Sequence, residues 1–254
     1  MILEQRTYTV HPGNMAAFWQ VQVDRGFDII RPVMERALGT YRTIEGTAEQ
    51  VVHLFRYDDL NDWQARLRSQ YGLPELLPYF AKVRPMMARQ VNAFWLPAPI
   101  DAAVPLWSGG RDWLPGDTPI ASLADHPDLV IEQETLSLQP GKLPLFWPLL
   151  EKDGMAALAP LDEGLIGCFY AMIGVQHQVV WYRWADSVET LRARRRKAAT
   201  GREWARYSKA LRGMSTDRET RILAPAPVPA MTPLFVEAAI RGRAKTRTGK
   251  AARR

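Results

Sequence analysis

Cysteine is nearly absent: the chain of 254 residues has one, Cys168. No internal disulfide can form, so a reducing compartment, the cytoplasm, is the expected location. Histidine is scarce too. His11, His53, His126 and His177 are the only four, they fall at no metal-ligand spacing, and no cysteine cluster supplements them, so no metal is expected. No apolar run reaches the roughly 18 residues that crossing a membrane requires. The N-terminal MILEQRTYTV lacks the apolar segment of a signal peptide, and neither export nor a membrane partner is expected. Also missing are a glycine-rich phosphate loop, a G-x-S-x-G elbow and a dinucleotide fingerprint. Their absence argues against nucleotide cofactors and serine hydrolysis, and no cofactor is expected.

What is present is the composition of an ordinary globular protein, 47% apolar and 24% charged. The formal charge of +6 suggests an anionic partner until it is located. The last fourteen residues, RGRAKTRTGKAARR, hold seven Arg or Lys and no acid, so the rest of the chain carries −1. Such a tail buries too little apolar surface to order itself; residues 231–254 are expected to be a disordered basic extension, without a specific nucleic-acid partner. The run RARRRK at 192–197 reads as a solvated helix face.

The chain repeats itself. HPGNMAAFWQ from His11 matches QPGKLPLFWP from Gln139, a shift of 128, and the same shift holds without gaps from 4–99 to 132–227, with 26 identities in 96 positions. Pro12, Gly13, Phe18, Trp19, Gly26, Gly39, Gln50, Val51 and Val52 all recur. This is a duplicated unit. Between the copies lies a stretch with six prolines and three glycines, read as an extended linker whose Trp107 and Trp113 dock on the domains. The expected domains are 1–98 and 129–230, with the linker at 99–128.

Within a copy, period and punctuation give the elements. Residues 2–10 alternate and are rich in Thr, Tyr and Val, as a strand requires. Pro12 and Gly13 end it, and Asn14 is positioned to cap a helix carrying Met15, Phe18, Trp19 and Gln22. Strands follow at 38–44 and 50–57 around the turn EGTAE; Asp58 or Asp59 caps a second helical region, and 89–96 is a fourth strand. One β-α-β-β-α-β unit covers a four-stranded sheet on one face only, and the bare face must be buried. The expected fold class is therefore α+β: two tandem ferredoxin-like domains, antiparallel sheets packed face to face into a barrel-like core, helices outside. Pairing with another chain satisfies the same requirement, so a homo-oligomer stays open.

The stretches EQRTYTVHPGNMAAF, LGTYRTIEGTAEQVVHLFRYDDLNDW and YFAKVRPMM resemble the NIPSNAP family, the match resting on Arg6, Tyr8, Pro12, Gly13, Gly46, Val51 to Tyr57 and Lys82 to Pro85. That resemblance implies a dimeric α/β-barrel fold. The wider superfamily includes cofactor-independent monooxygenases, isomerases and cyclases, so fold does not select a chemistry.

The halves differ where chemistry is expected. Arg6, Tyr8, His53 and Tyr57 become Glu134, Leu136, Trp181 and Ala185 in the second copy. A ligand site is thus expected in the first copy, between sheet and helices. His53 is the candidate general base, because an imidazole exchanges protons near neutrality. Tyr8 and Arg6 are candidates to stabilise an oxygen that gains charge. Tyr41, Arg42, Tyr57, Trp19 and Phe18 are candidate ligand contacts. Each has a structural alternative, since buried histidines, strand tyrosines and core aromatics commonly serve packing, and Arg6 has Glu4 as a neighbouring acid. Two functions follow: a cofactor-independent acid/base enzyme (isomerase, lyase/cyclase or monooxygenase type) acting on a small, mostly apolar compound, or a noncatalytic ligand-binding or interaction module using the same residues.

Overall fold

The residues of β1 (Ile2–Val10) alternate between two faces, and this alternation organises the whole molecule. The protein was analysed as a computed structural model that describes residues 1–237. Antiparallel pairing of β1 with β3 (Gln50–Tyr57) sets Glu4 opposite Phe55, Arg6 opposite His53 and Tyr8 opposite Val51. Opposite residues share a face, so these form one surface while Leu3, Gln5, Thr7, Val52 and Leu54 form the other.

The first half comprises β1, α1 (Met15–Arg25), α2 (Arg31–Met34), β2 (Ala37–Glu45), β3, α3 (Leu60–Tyr71), α4 (Leu77–Val83) and β4 (Met87–Pro97). After the linker and its short β5 (Ala121–Ser122), the order recurs: β6 (Val130–Leu138), α5 (Leu143–Leu149), α6 (Met155–Leu158), β7 (Leu165–Ile173), β8 (Gln178–Ala185), α7 (Val188–Ala199), α8 (Arg202–Arg212) and β9 (Ser215–Pro225). Asp59 caps α3, accepting from the amides of Asn61 and Asp62. Asn14 stands at the N-cap of α1 but makes no side-chain cap bond. No helix among the described residues is long and apolar enough to cross a membrane.

The fold is mixed α/β with antiparallel strands, but the two expected sheets are one. β2 pairs with β9 and β4 with β7, closing an eight-stranded barrel in the order β1-β3-β2-β9-β6-β8-β7-β4. The physical reason is edge satisfaction: separate four-stranded sheets would leave four strand edges unpaired, and closure pairs them. The barrel core holds Leu3, Tyr41, Val52, Leu54, Trp95, Ile131, Phe169, Val180, Tyr182 and Leu223, and helices lie outside.

Two segments outside the repeated units add to the core. The linker contributes core residues, since Trp113 is buried and Trp107 packs 5.6 Å from Phe169 while donating to the Trp113 carbonyl. Residues 231–236, expected to belong to a disordered tail, are packed. Met231, Leu234 and Phe235 are buried, and β10 (Phe235–Val236) pairs in parallel with β5. Apolar residues ahead of the basic run supply the burial that the run itself cannot. The rest of that expected tail lies outside the described residues.

Candidate functional site

Arg6, Tyr8 and His53 stand on the helix-facing side of β1 and β3, and they line a cavity of about 60 Å³ between sheet and helices. Its other walls include Gln22 and Arg25 from α1, Thr40 from β2, Tyr79 from α4, and two methionines, Met34 and Met231. Strand register fixes the near wall, and the apolar stripe of α1 fixes the far one. Phe18, Trp19, Val21 and Gln22 are its buried residues, so the turn that seats the aromatics also turns Gln22 and Arg25 inward.

Around Arg6 the hydrogen bonds are dense. Its Nη2 donates to Glu4 at 2.7 Å and to the Tyr57 hydroxyl at 3.4 Å, and the guanidinium lies over the Phe55 ring at 4.6 Å. Asn92 donates to the other oxygen of Glu4 at 2.8 Å. Burial works against the charged Arg6, but the carboxylate of Glu4 outweighs it and the pKa rises, so the guanidinium is permanently cationic. The expected Glu4 partner is present.

His53 stacks between neighbours. Its ring centroid is 4.8 Å from that of Tyr8 and 6.3 Å from that of Phe55, and its Nδ1 is 2.9 Å from the Thr40 hydroxyl. Burial, with the positive charge of Arg6 and then Arg25, lowers its pKa to about 3. The imidazole is therefore neutral at physiological pH. The contact with Thr40 fits either direction, and in the tautomer whose Nδ1–H donates to Thr40, Nε2 is a lone-pair acceptor. Burial pushes the Tyr8 phenol up to about 12, against the pull of Arg6, so it remains a hydroxyl donor.

Facing this group, Arg25 donates to Gln22 at 2.9 Å, and the Tyr79 hydroxyl donates to the same Gln22 oxygen at 3.1 Å. Burial lowers the Arg25 pKa. Four buried polar atoms of the cavity residues have no partner among the described residues: Arg6 Nε, Gln22 Nε2, Arg25 Nη2 and His53 Nε2. Three are donors and the fourth is an imidazole nitrogen. Buried polar groups left unpaired cost on the order of 1–3 kcal/mol each, and four around one small cavity are a ligand-shaped deficit.

The remaining sequence candidates lie elsewhere. Tyr57 reaches the site only through Arg6. Tyr41 points into the barrel core, because the residue after Thr40 on a strand takes the opposite face. Arg42 is exposed and borders a separate surface groove with Ile44 and Asp128. Phe18 and Trp19 pack into the core under α1 with Val10, Val51 and Phe80. Sequence reasoning missed Gln22, Arg25 and Thr40, although the contrast between copies marks them: their counterparts are Leu150, Asp153 and Cys168.

The equivalent positions of the second half carry different side chains. Trp181 stands at the His53 position with its ring 6.0 Å from Phe146, and Arg183 replaces Phe55, fully buried and paired with Glu134 and Asp162.

A closed antiparallel barrel built from two copies of one β-α-β-β-α-β unit, with a helix-covered polar cavity in one copy, defines a tandem α/β-barrel protein. The chain belongs to the NIPSNAP family, whose model matches residues 3–101 and again 131–229. No curated protein matches. A NIPSNAP-like domain protein from Burkholderia xenovorans is 27% identical over 40% of this chain and 89% of its own, with a TM-score of 0.38. A protein from Lactobacillus acidophilus, provisionally named a monooxygenase, is 11% identical over 88% of this chain and 92% of its own, with a TM-score of 0.54. An anthrone oxidase-like protein is 12% identical over 89% and 91%, also at 0.54. At such identities these last two likenesses are of fold.

Proposed function

We propose that the first-half cavity binds a small, mostly apolar organic compound through one oxygen-bearing head group, and that the protein acts on it by cofactor-independent proton transfer. The observation that carries this reading is the convergence of the unpartnered Arg6 Nε, Gln22 Nε2, Arg25 Nη2 and His53 Nε2 on one cavity. The three donors suit an oxygen that gains negative charge, and His53 Nε2 suits the proton that leaves a neighbouring atom. A base with a pKa near 3 is weak in the empty site. An enolate or phenolate forming beside it raises its proton affinity, because the new anion pairs with both the imidazolium and the two guanidinium groups. Thr40 holds the tautomer that exposes the Nε2 lone pair.

A volume of about 60 Å³ accepts a head group and little more; a cavity of about 150 Å³ is what benzene occupies elsewhere. The apolar remainder of the ligand displaces Met34 and Met231, whose unbranched side chains repack at low cost. Two fold neighbours are named for oxygen chemistry, and an oxygenase outcome, in which the carbanion adds dioxygen and the peroxide anion takes the proton from the His53 imidazolium, stands beside the isomerase and cyclase outcomes.

The test is exchange of the benzylic protons of phenylpyruvate for deuterium in D2O, followed by proton NMR. Wild type is expected to accelerate exchange, and His53→Ala to lose the acceleration while keeping a cooperative melt. Absence of both exchange and a phenylpyruvate-induced thermal shift in wild type would sink the proposal. A thermal shift without exchange would establish the noncatalytic binding reading instead.

A further inference from the structure

A second cavity, of about 400 Å³, lies inside one mouth of the barrel, on the face of β1 opposite Arg6 and Tyr8. Its lining comes from β1, β3, β4, β6, β8 and β9, and Gln133 on β6 donates to Gln5 on β1 at 3.4 Å. Those strands stand on opposite sides of the barrel order, so the two amides meet only across the lumen. The barrel is splayed at this end. β4 pairs with β7 only from Phe94 to Pro97, and β9 with β2 only from Ile222 to Pro225, which leaves an entrance.

Three pairs of the polar residues here are ones the two halves share. Gln5, Thr7 and Gln50 recur at the repeat shift as Gln133, Thr135 and Gln178, whereas Arg6, Tyr8 and His53 on the same strands do not. Their contacts recur as well: Gln50 donates to Thr9 at 3.3 Å, and its counterpart Gln178 donates to Ser137 at 3.2 Å. Most of the wall thus satisfies itself. Two buried atoms do not. The indole Nε1 of Trp95 and the amide oxygen of Gln133 have no partner among the described residues, giving the lumen one free donor and one free acceptor. Charge is balanced or outside, since Glu219 and Arg221 pair at 2.7 Å and Arg89 is exposed.

We propose that this lumen is a second binding site, for a neutral polyhydroxylated compound such as a small sugar or cyclitol. Hydroxyl groups both donate and accept, as amides and threonines require, and a net charge would find no buried counter-charge. Val91 and Ala93 supply apolar surface for the carbon skeleton. The site is separate from the cavity of Arg6 and His53, so neither reading depends on the other.

The full chain labelled with 15N-tryptophan tests it, the Trp95 indole resonance being assigned with Trp95→Phe. Titration with myo-inositol and D-glucose is expected to move that resonance saturably with at least one of them, and sodium benzoate is expected to leave it in place. Gln133→Leu should weaken the effect about tenfold, the loss of roughly one hydrogen bond. Ala93→Phe, which fills the lumen from its rim, should abolish it. Should Gln133→Leu fail to fold, Ala93→Phe carries the comparison. No saturable shift with either polyol, an equal shift in Ala93→Phe, or preference for benzoate overturns the proposal.

Discussion

Arg183 and Glu134 form a fully buried ion pair, 3.0 Å apart, at the two positions that the first half gives to Phe55 and Arg6. The buried guanidinium has moved from β1 in one copy to β8 in the other, and with it the acids. Arg183 also meets Glu132 and Asp162, and Arg195 and Arg218 close on Glu132 and Glu134 from outside.

Removing Arg183 strands Glu134 and Asp162 inside the protein. Arg183→Leu is expected to cost about 3–5 kcal/mol in urea unfolding, because an uncompensated buried carboxylate is worse than no pair at all. A loss below about 1 kcal/mol would show that water or neighbouring arginines compensate.

His53 makes stability depend on pH in a defined window. Its folded pKa near 3 lies below the ordinary value of about 6.5, so the unfolded chain binds a proton that the folded one refuses. The contribution is fully present above pH 6.5 and is lost as pH falls toward 3, on the order of 5 kcal/mol at most. His53→Gln should flatten the melting temperature between pH 6.5 and 4 relative to wild type. Parallel curves would refute the burial of a neutral imidazole.

Gln22 and Arg25 face the cavity from α1, so their loss should act on ligand and spare the fold. Gln22→Leu and Arg25→Met are expected to remove the phenylpyruvate thermal shift while changing unfolding free energy by no more than about 1 kcal/mol. Leucine already occupies the Gln22 position in the second half, as Leu150. Retention of the shift in both variants would place the head group elsewhere.

Backbone proximity makes Gly164 intolerant of any side chain. A methyl group there would lie 2.0 Å from the Trp184 carbonyl oxygen, which is held by the Arg194 guanidinium at 3.0 Å. Gly164→Ala should destabilise by about 3 kcal/mol or more, beyond the usual cost of overpacking. Gly26→Ala meets open space, but at φ +74 and ψ 177, a region essentially confined to glycine, it is expected to cost about 1–3 kcal/mol of backbone strain.

Much was determined by the sequence alone. The shift of 128 between Pro12-Gly13 and Pro140-Gly141 declares the duplication by identity alone, while the alternation of Ile2 to Val10 declares the strand and Asp58 or Asp59 a helix start, because those two signals are local in the chain. The contrast of Arg6, Tyr8 and His53 with Glu134, Leu136 and Trp181 pointed to the first-half cavity that those three residues line. Tertiary structure decided the rest. Tyr41 and Thr40 differ by one step in sequence and by a whole sheet in space, and only register tells which faces the cavity. Closure of the barrel through β2 with β9 and β4 with β7 rests on pairing between residues more than seventy positions apart, such as Tyr41 opposite Pro225. Long-range pairing of this kind leaves no local pattern, which is why the single barrel, the buried Phe235 and the Gln5–Gln133 contact across the lumen are properties of the folded chain.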